Sequence, residues 1–524
     1  MAGTRARYRF GPLERRGLIA GWRGGQIAIV ALGVILAIAL LHRRPTGPVI
    51  AVSVVIVAGC VAVAWWPVAG RTAEQWLPTV VRWGAGGLAG GHRWRAGVEK
   101  AGQCIGPEGA PCPGTARPGT ARPGTARPGT ARPGTARPGT APRARRSAIR
   151  GVFAGLEIFG FTARDGSPSL GVVYDPRART YTAVMELLGH SFALLSNNEK
   201  ERRVASWASV LSSVARERSM VHRIQWLAAT LPDDGAAVDA HLAQRGVLPS
   251  EAPARRSYLE LLQRAGGETC KHEVHLAVQL RETGAAARAV RSLGGGARAA
   301  CSLLAREVAS LAQQLAGADI PVERVLDERA IAALVRRAIG GDSLRASACP
   351  PCNVAWPWPL ATEAEWGALR ADGGWHATYW VAEWPRLDVG PEFLGPLLLG
   401  SVRRTLAVVM EPLSPTRALR QVERARTADV ADAELRRRGG FLATARRARE
   451  AEVAQRREQE VADGHGSFRF SGYVSVSAPS REQLVAACES TEQAASQCRL
   501  ELRRLYGTQE EAFTCTLPLA RGLS

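Results

Sequence analysis

The stretch LGVVYDPRARTYTAVMELL, residues 170–188, holds two runs rich in β-branched and aromatic residues, Leu170–Tyr174 and Thr180–Leu188. Asp175-Pro176-Arg177 supplies a turn between them, so the stretch reads as two antiparallel strands. Gly155–Phe161 reads as a strand before them, and Asn197–Arg216 as a helix after them, with Val204, Trp207, Val210, Leu211 and Val214 at helical spacing. Further strands are predicted at Val221–Leu227, His272–Leu280, Trp375–Trp384, Thr405–Met410 and Phe468–Val476. Long helices rich in Ala, Arg and Glu are predicted at Ala297–Leu315, Pro415–Arg438 and Arg481–Tyr506. The pattern predicts an α+β region of antiparallel sheets with helices on one face, in two related units over 151–345 and 346–524.

At roughly 100 to 200 residues per domain, the 524 residues leave room for two to four folded units. Hydrophobic residues at 46% with charged residues at 22% exclude wholesale disorder and a polytopic transporter. The net charge of +21 is unevenly spread: Met1–Arg150 carries 22 basic against 4 acidic residues, and Gly151–Ser524 carries 46 against 43. The folded bulk is therefore almost neutral, and direct nucleic-acid contact is not expected. With only three lysines among 68 basic residues, part of the charge reflects GC-rich coding. The ten cysteines are irregularly spaced and read as reduced thiols rather than a disulfide framework.

Upstream, Ile27–Leu41 is wholly apolar or Gly, and in Val49–Trp66 only Ser53 interrupts a second apolar run. Two transmembrane helices in a hairpin follow, spanning 18–41 and 49–66 within an anchor domain of residues 1–101. Arg23 snorkels from the first span, while Trp22, Trp65 and Trp66 are placed at one membrane interface. Arg5, Arg7, Arg9, Arg15, Arg16 and Arg23 precede the first span, and Arg71, Arg82, Arg93, Arg95 and Lys100 follow the second. Only Arg43 and Arg44 occupy the turn, so both termini are expected in the cytoplasm of a multi-pass inner-membrane protein. Between Pro113 and Pro142 the pentad Pro-Gly-Thr-Ala-Arg occurs five times, then once more ending in Pro. Such a segment builds no core and reads as a disordered linker, 102–150, between membrane and folded region.

Motifs for chemistry are incomplete. Cys349 and Cys352 have zinc or redox spacing without a second pair. Cys270, His272, Glu273 and His275 cluster, but His272 and His275 point to opposite faces of a strand. Gly341-Asp342-Ser343-Leu344 spells a hydrolase nucleophile block without a preceding strand or a later histidine motif. Gly294-Gly295-Gly296 reads as the turn into a helix, and Arg417–Arg457 mixes both charges like a solvated helix surface. No catalytic, cofactor or metal residue is assigned, and the chain is expected to be non-enzymatic. Trp356, Trp358, Trp366, Trp375, Trp380 and Trp384 are concentrated; of these, Trp356, Trp358, Trp375, Trp380 and Trp384 are the candidate partner-binding residues.

Gly11-Pro12-Leu13-Glu14-Arg15-Arg16-Gly17-Leu18 followed by a two-span hairpin resembles the PrgI-like membrane proteins of type IV secretion and conjugation systems, in their actinobacterial form with a long C-terminal extension. The extension is similar to the N-terminal, non-motor domain of the secretion ATPase, at Tyr181-Thr182-Ala183-Val184, Phe192-Ala193-Leu194-Leu195, Arg223-Ile224-Gln225-Trp226, Ala512-Phe513 and Thr516-Leu517-Pro518-Leu519. No phosphate-binding G-x-x-x-x-G-K-[ST] loop exists, so the resemblance implies a docking subunit that recruits a separately encoded ATPase and other membrane subunits, with a homo-oligomer open. The alternative is a subunit resembling the EccE component of type VII systems, which also pairs two N-terminal spans with a cytoplasmic domain. A hydrolase using Ser343 and a membrane-tethered DNA-binding protein are weaker alternatives.

Overall fold

A computed structural model describes residues 24–43, 46–65, 73–88, 90–95, 151–163, 169–188, 194–217, 219–232, 252–265, 270–340, 357–385, 387–438 and 458–523, with 452, 455 and 456. Three helices come first: α1 (Gly24–Arg43), α2 (Gly47–Trp65) and α3 (Ala73–Leu88). At 1.5 Å per residue, the 20 residues of α1 span about 30 Å, the thickness of a hydrocarbon core. α2 is apolar and long enough to cross a membrane over Gly47–Ala64, whereas the apolar part of α1, Gln26–His42, is shorter. α1 and α2 pack together with Gln26 Nε2 donating to the Ala64 carbonyl at 3.1 Å. Gly33 permits the approach, since a Cβ there would lie 2.7 Å from Cys60 Sγ.

After the short strand β1 (Arg93–Arg95), the first half of the body contains β2 (Glu157–Phe161), β3 (Leu170–Asp175), β4 (Thr180–Leu187), α4 (Asn197–Val214), β5 (Val221–Pro232), α5 (Pro253–Ala265) and β6 (Cys270–Arg281). It ends with α6 (Gly284–Ser292), α7 (Gly296–Gly317), β7 (Val322–Val325) and α8 (Glu328–Gly340). The second half contains β8 (Ala361–Ala364), β9 (Leu369–Ala371), β10 (Gly374–Glu383), α9 (Gly395–Leu398), β11 (Arg404–Leu413), α10 (Pro415–Arg438), β12 (Ser467–Ala478), α11 (Arg481–Gln497), β13 (Glu501–Arg504) and α12 (Gln509–Thr514). All described strands join one antiparallel sheet in the order β1-β8-β9-β10-β12-β11-β5-β6-β4-β3-β2, with β7 on β4 and β13 on β10. The halves meet where β5 pairs with β11, from Ile224 opposite Met410 to Thr230 opposite Arg404.

Helices cover both faces of this sheet, which corrects the expected one-faced arrangement. Leu170, Val172, Tyr181, Ala183 and Met185 point to one side and pack on α4 and α7, while Val173, Val184 and Ala277 point to the other and pack on α8. β3 and β4 are buried along nearly their whole length because helices cover both faces, where one wet face would have required alternation. A second correction concerns Arg481–Tyr506. The helix stops at Gln497, Arg499 turns left-handed with φ +58°, and the chain returns as β13. The Leu500 N–H reaches back to the Ala495 carbonyl at 2.9 Å, a C-terminal closure usually built on glycine. The last residues form a strap across the sheet. Buried Gln225 donates to the Cys515 carbonyl at 2.7 Å and accepts from the Ala520 N–H at 2.8 Å, and Gln279 donates to the Leu519 carbonyl at 2.9 Å.

Candidate docking site at the junction of the apolar helices and the sheet

On α3, Trp76, Thr79, Trp83 and Gly86 recur at helical spacing and turn one face toward the body. Trp76 stacks on Trp366 with ring centroids 5.7 Å apart, Trp83 meets Trp366 edge-on at 5.6 Å, and Tyr506 lies 6.4 Å from Trp366. Each such pair contributes about 0.5–1.5 kcal/mol beyond area burial, so the cluster is a clamp rather than a casual contact. Gly507, with φ +70° and its N–H donating to the Trp366 carbonyl at 2.7 Å, makes room: a Cβ there would lie 2.7 Å from the Trp366 ring. Arg82 pairs with Glu511 at the side of the clamp.

The chain then turns under His92, which stacks on Trp83 at 3.6 Å, and enters the sheet as β1, paired with β8 from Arg93 opposite Glu363 to Arg95 opposite Ala361. The Arg93 guanidinium donates to the Glu363 carboxylate at 2.7 Å across that pair. Beyond the repeat, Gly151–Phe153 belongs to the same body, Phe153 lying 5.9 Å from Trp358. The body is therefore already joined on the N-terminal side of the repeat, and the repeat itself lies outside the described residues.

The expected partner-binding tryptophans do not share one surface. Trp358 is 3% exposed, in the core beneath α8. Trp375 packs against the buried cluster that includes Tyr379 and Leu484, with the Arg370 guanidinium over its ring, Trp380 donates to Ser471 Oγ at 3.0 Å near Leu227, and Trp384 meets Phe470 edge-on at 5.5 Å. Trp356 lies outside the described residues, as do Trp22, Arg23 and Trp66; Trp65 closes α2, but its side chain is not described. Trp76 and Trp83 escaped the sequence reading although their seven-residue spacing places them on one helix face.

A second polar centre lies between the sheet and α8. The Arg337 guanidinium grips buried Glu273 with two hydrogen bonds, at 3.1 and 2.9 Å, and Lys271 approaches the same carboxylate at 2.9 Å. Burial pushes the Glu273 carboxyl upward, yet Arg337 and Lys271 outweigh it and hold it below the ordinary range. An ionised carboxylate tied by two cations is a weak proton acceptor, so the group reads as a brace between β6 and α8. Burial also lowers His275 beside it, and the adjoining cavity, lined by Arg337, Arg403 and Ser475 among others, measures only about 40 Å³. His272 lies on the opposite face, 3.4 Å from Thr230 Oγ1, which agrees with the strand alternation. Among the described residues no group of three or more His, Cys, Asp or Glu side chains could hold a metal ion. Ser343, Cys349 and Cys352 lie outside the described residues.

Fold and junction together define a class: an α+β body clamped to an apolar helical pair. Within it, residues 269–381 match the family model described as "Putative type VII ESX secretion system translocon, EccE". The matched stretch runs from β6 to β10 and crosses from the first half of the body into the second. It contains both sides of contacts that join the halves, Arg336 with Asp372 and the Ile339 carbonyl with His376 Nε2 at 3.0 Å. No curated protein matches the chain.

Proposed function

We propose that this chain is a non-enzymatic inner-membrane subunit of a type VII secretion machine, with α1 and α2 as a two-span hairpin and the α+β body as a docking surface for neighbouring membrane subunits and a separately encoded ATPase. The family match over residues 269–381 favours this reading over the type IV one. The observation that carries the mechanical part is the junction. α1 and α2 expose Leu32, Ile35, Ile38, Val54 and Val55, side chains that water solvates poorly, while α3 and β1 bolt the same helices to the sheet. Anchoring of that kind confines the body to a thin layer beside the membrane and raises its effective concentration for partners held there. In this reading both termini are cytoplasmic and the repeat is an excursion from the body rather than its sole link to the bilayer.

The body reads as two related units. Counted inward, the first half runs β2-β3-β4-β6-β5 with β7 on β4, and the second, inside the edge strand β1, runs β8-β9-β10-β12-β11 with β13 on β10. The same order, with the same appended strand, supports a tandem duplication about a pseudo-two-fold at the β5–β11 seam. The test is purification of the full chain from native membranes in mild detergent. Recovery with other secretion membrane subunits and an ATPase is expected; a chain found wholly in the soluble fraction, or purified without any membrane partner, refutes the role.

A further inference from the structure

α3 carries a second apolar stripe that no described residue covers. Leu77, Val80, Val81, Gly84 and Leu88 recur at helical spacing and are all exposed, Leu77 by 65%, Val81 by 60% and Leu88 by 94%. At 100° per residue this stripe is centred about 135° round the helix from the Trp76–Trp83 face. A helix with two apolar stripes is built to be covered on two sides. The body covers one. The other is next to the membrane: α3 touches α2, and the seven residues between Trp65 and Ala73 reach at most about 25 Å.

We propose that α3 is an in-plane helix whose Leu77–Leu88 stripe sinks into the inner leaflet while its Trp76–Trp83 face holds the sheet. The occupant is a lipid surface. Apolar side chains enter the headgroup boundary, which is the arrangement of interfacial helices. With α3 clamped between leaflet and sheet, the body has one fixed height and tilt over the membrane. This inference rests on the reading of α2 as a membrane span.

The test is photolabelling of the full chain in vesicles of phosphatidylcholine and phosphatidylglycerol containing a diazirine-tailed phospholipid, with labelled residues mapped by mass spectrometry. Labels are expected on the Leu77, Val81 and Leu88 side of α3 and on α2, and none on Thr79 or Trp83. The Leu77→Glu/Val81→Glu variant is expected to lose at least tenfold of the α3 labelling with α2 labelling unchanged. Label on α2 without label on α3 overturns the in-plane helix while leaving the membrane anchor standing; absence from both overturns both. Cross-links from the α3 stripe to a second protein or copy in place of lipid also overturn it.

Discussion

Trp366→Ala removes the ring that Trp76, Trp83 and Tyr506 all touch. The Tyr506 pair lies within the body, so only the two pairs with Trp76 and Trp83 break when α3 opens; at about 0.5–1.5 kcal/mol each they put the loss at roughly 1–3 kcal/mol, before any relaxation of α3 onto the vacated space. At 1.4 kcal/mol per tenfold, the opening equilibrium of α3 from the sheet rises by roughly 5- to 150-fold. Hydrogen exchange in detergent reads this directly. Amides of α3 from Val80 to Leu88 and those of β1 lose protection, because Arg93–Arg95 follows α3 into the sheet edge and is held by only three residues of pairing. Amides of β5 and β6, remote from the clamp, serve as the internal reference and keep theirs. Unchanged exchange throughout α3 and β1 in a folded Trp366→Ala protein would refute the clamp, and with it the idea that the body is held rather than tethered.

Four other outcomes follow from the packing. Glu273→Ala removes the carboxylate that Arg337 and Lys271 grip and is expected to cost roughly 1–2 kcal/mol, below the cost of a fully buried pair because both cations left behind reach water, measured by denaturant midpoint. Gly33→Leu drives a side chain into Cys60 and lowers the thermal midpoint of the detergent-solubilised protein, whereas Gly59→Leu, with open space around it, does not. Gln225→Ala leaves the Cys515 carbonyl and the Ala520 N–H unpaired under the C-terminal strap, about 1–3 kcal/mol for each orphan, and the strap becomes sensitive to carboxypeptidase. Burial lowers His376 from 6.5 to about 4, so the unfolded chain takes up its proton first and stability falls as pH drops from 6.5 to 4, by about 3 kcal/mol in full. Glu510, raised from 4.5 to about 6 by burial and by Glu511, acts in the opposite sense, its share being lost as pH rises from 4.5 to 6. His376→Gln and Glu510→Gln should therefore shift the pH slope of unfolding in opposite directions, and parallel shifts would contradict both assignments.

Much of the local structure is legible because its signals fit within a short window. Pro415–Arg438 is a helix with the predicted bounds, helped by a proline that suits a first helical turn. β5 and β6 each reach 12 residues, longer than the predicted Val221–Leu227 and His272–Leu280, since Thr230 and Lys271 are polar yet lie within paired strands. Arg481–Tyr506 overruns the helix because that helix ends without glycine, on Arg499 in a left-handed conformation that composition does not announce. The helices on both faces are not legible for a related reason: an apolar run identifies a buried strand without saying what lies above and below it.

The candidate junction was the least legible part. β1 is three residues long, too short for any period, and its partner Glu363 is 270 positions away. Charge balance, the missing phosphate loop and the exposed apolar helices follow from composition and period alone, because solvation and helical geometry act residue by residue. The partner of β1, the mate of Trp76 and the β5–β11 seam follow only from the folded body. Strand edges and ring faces choose one another by complementary shape across hundreds of residues, and no local window holds both members of such a pair.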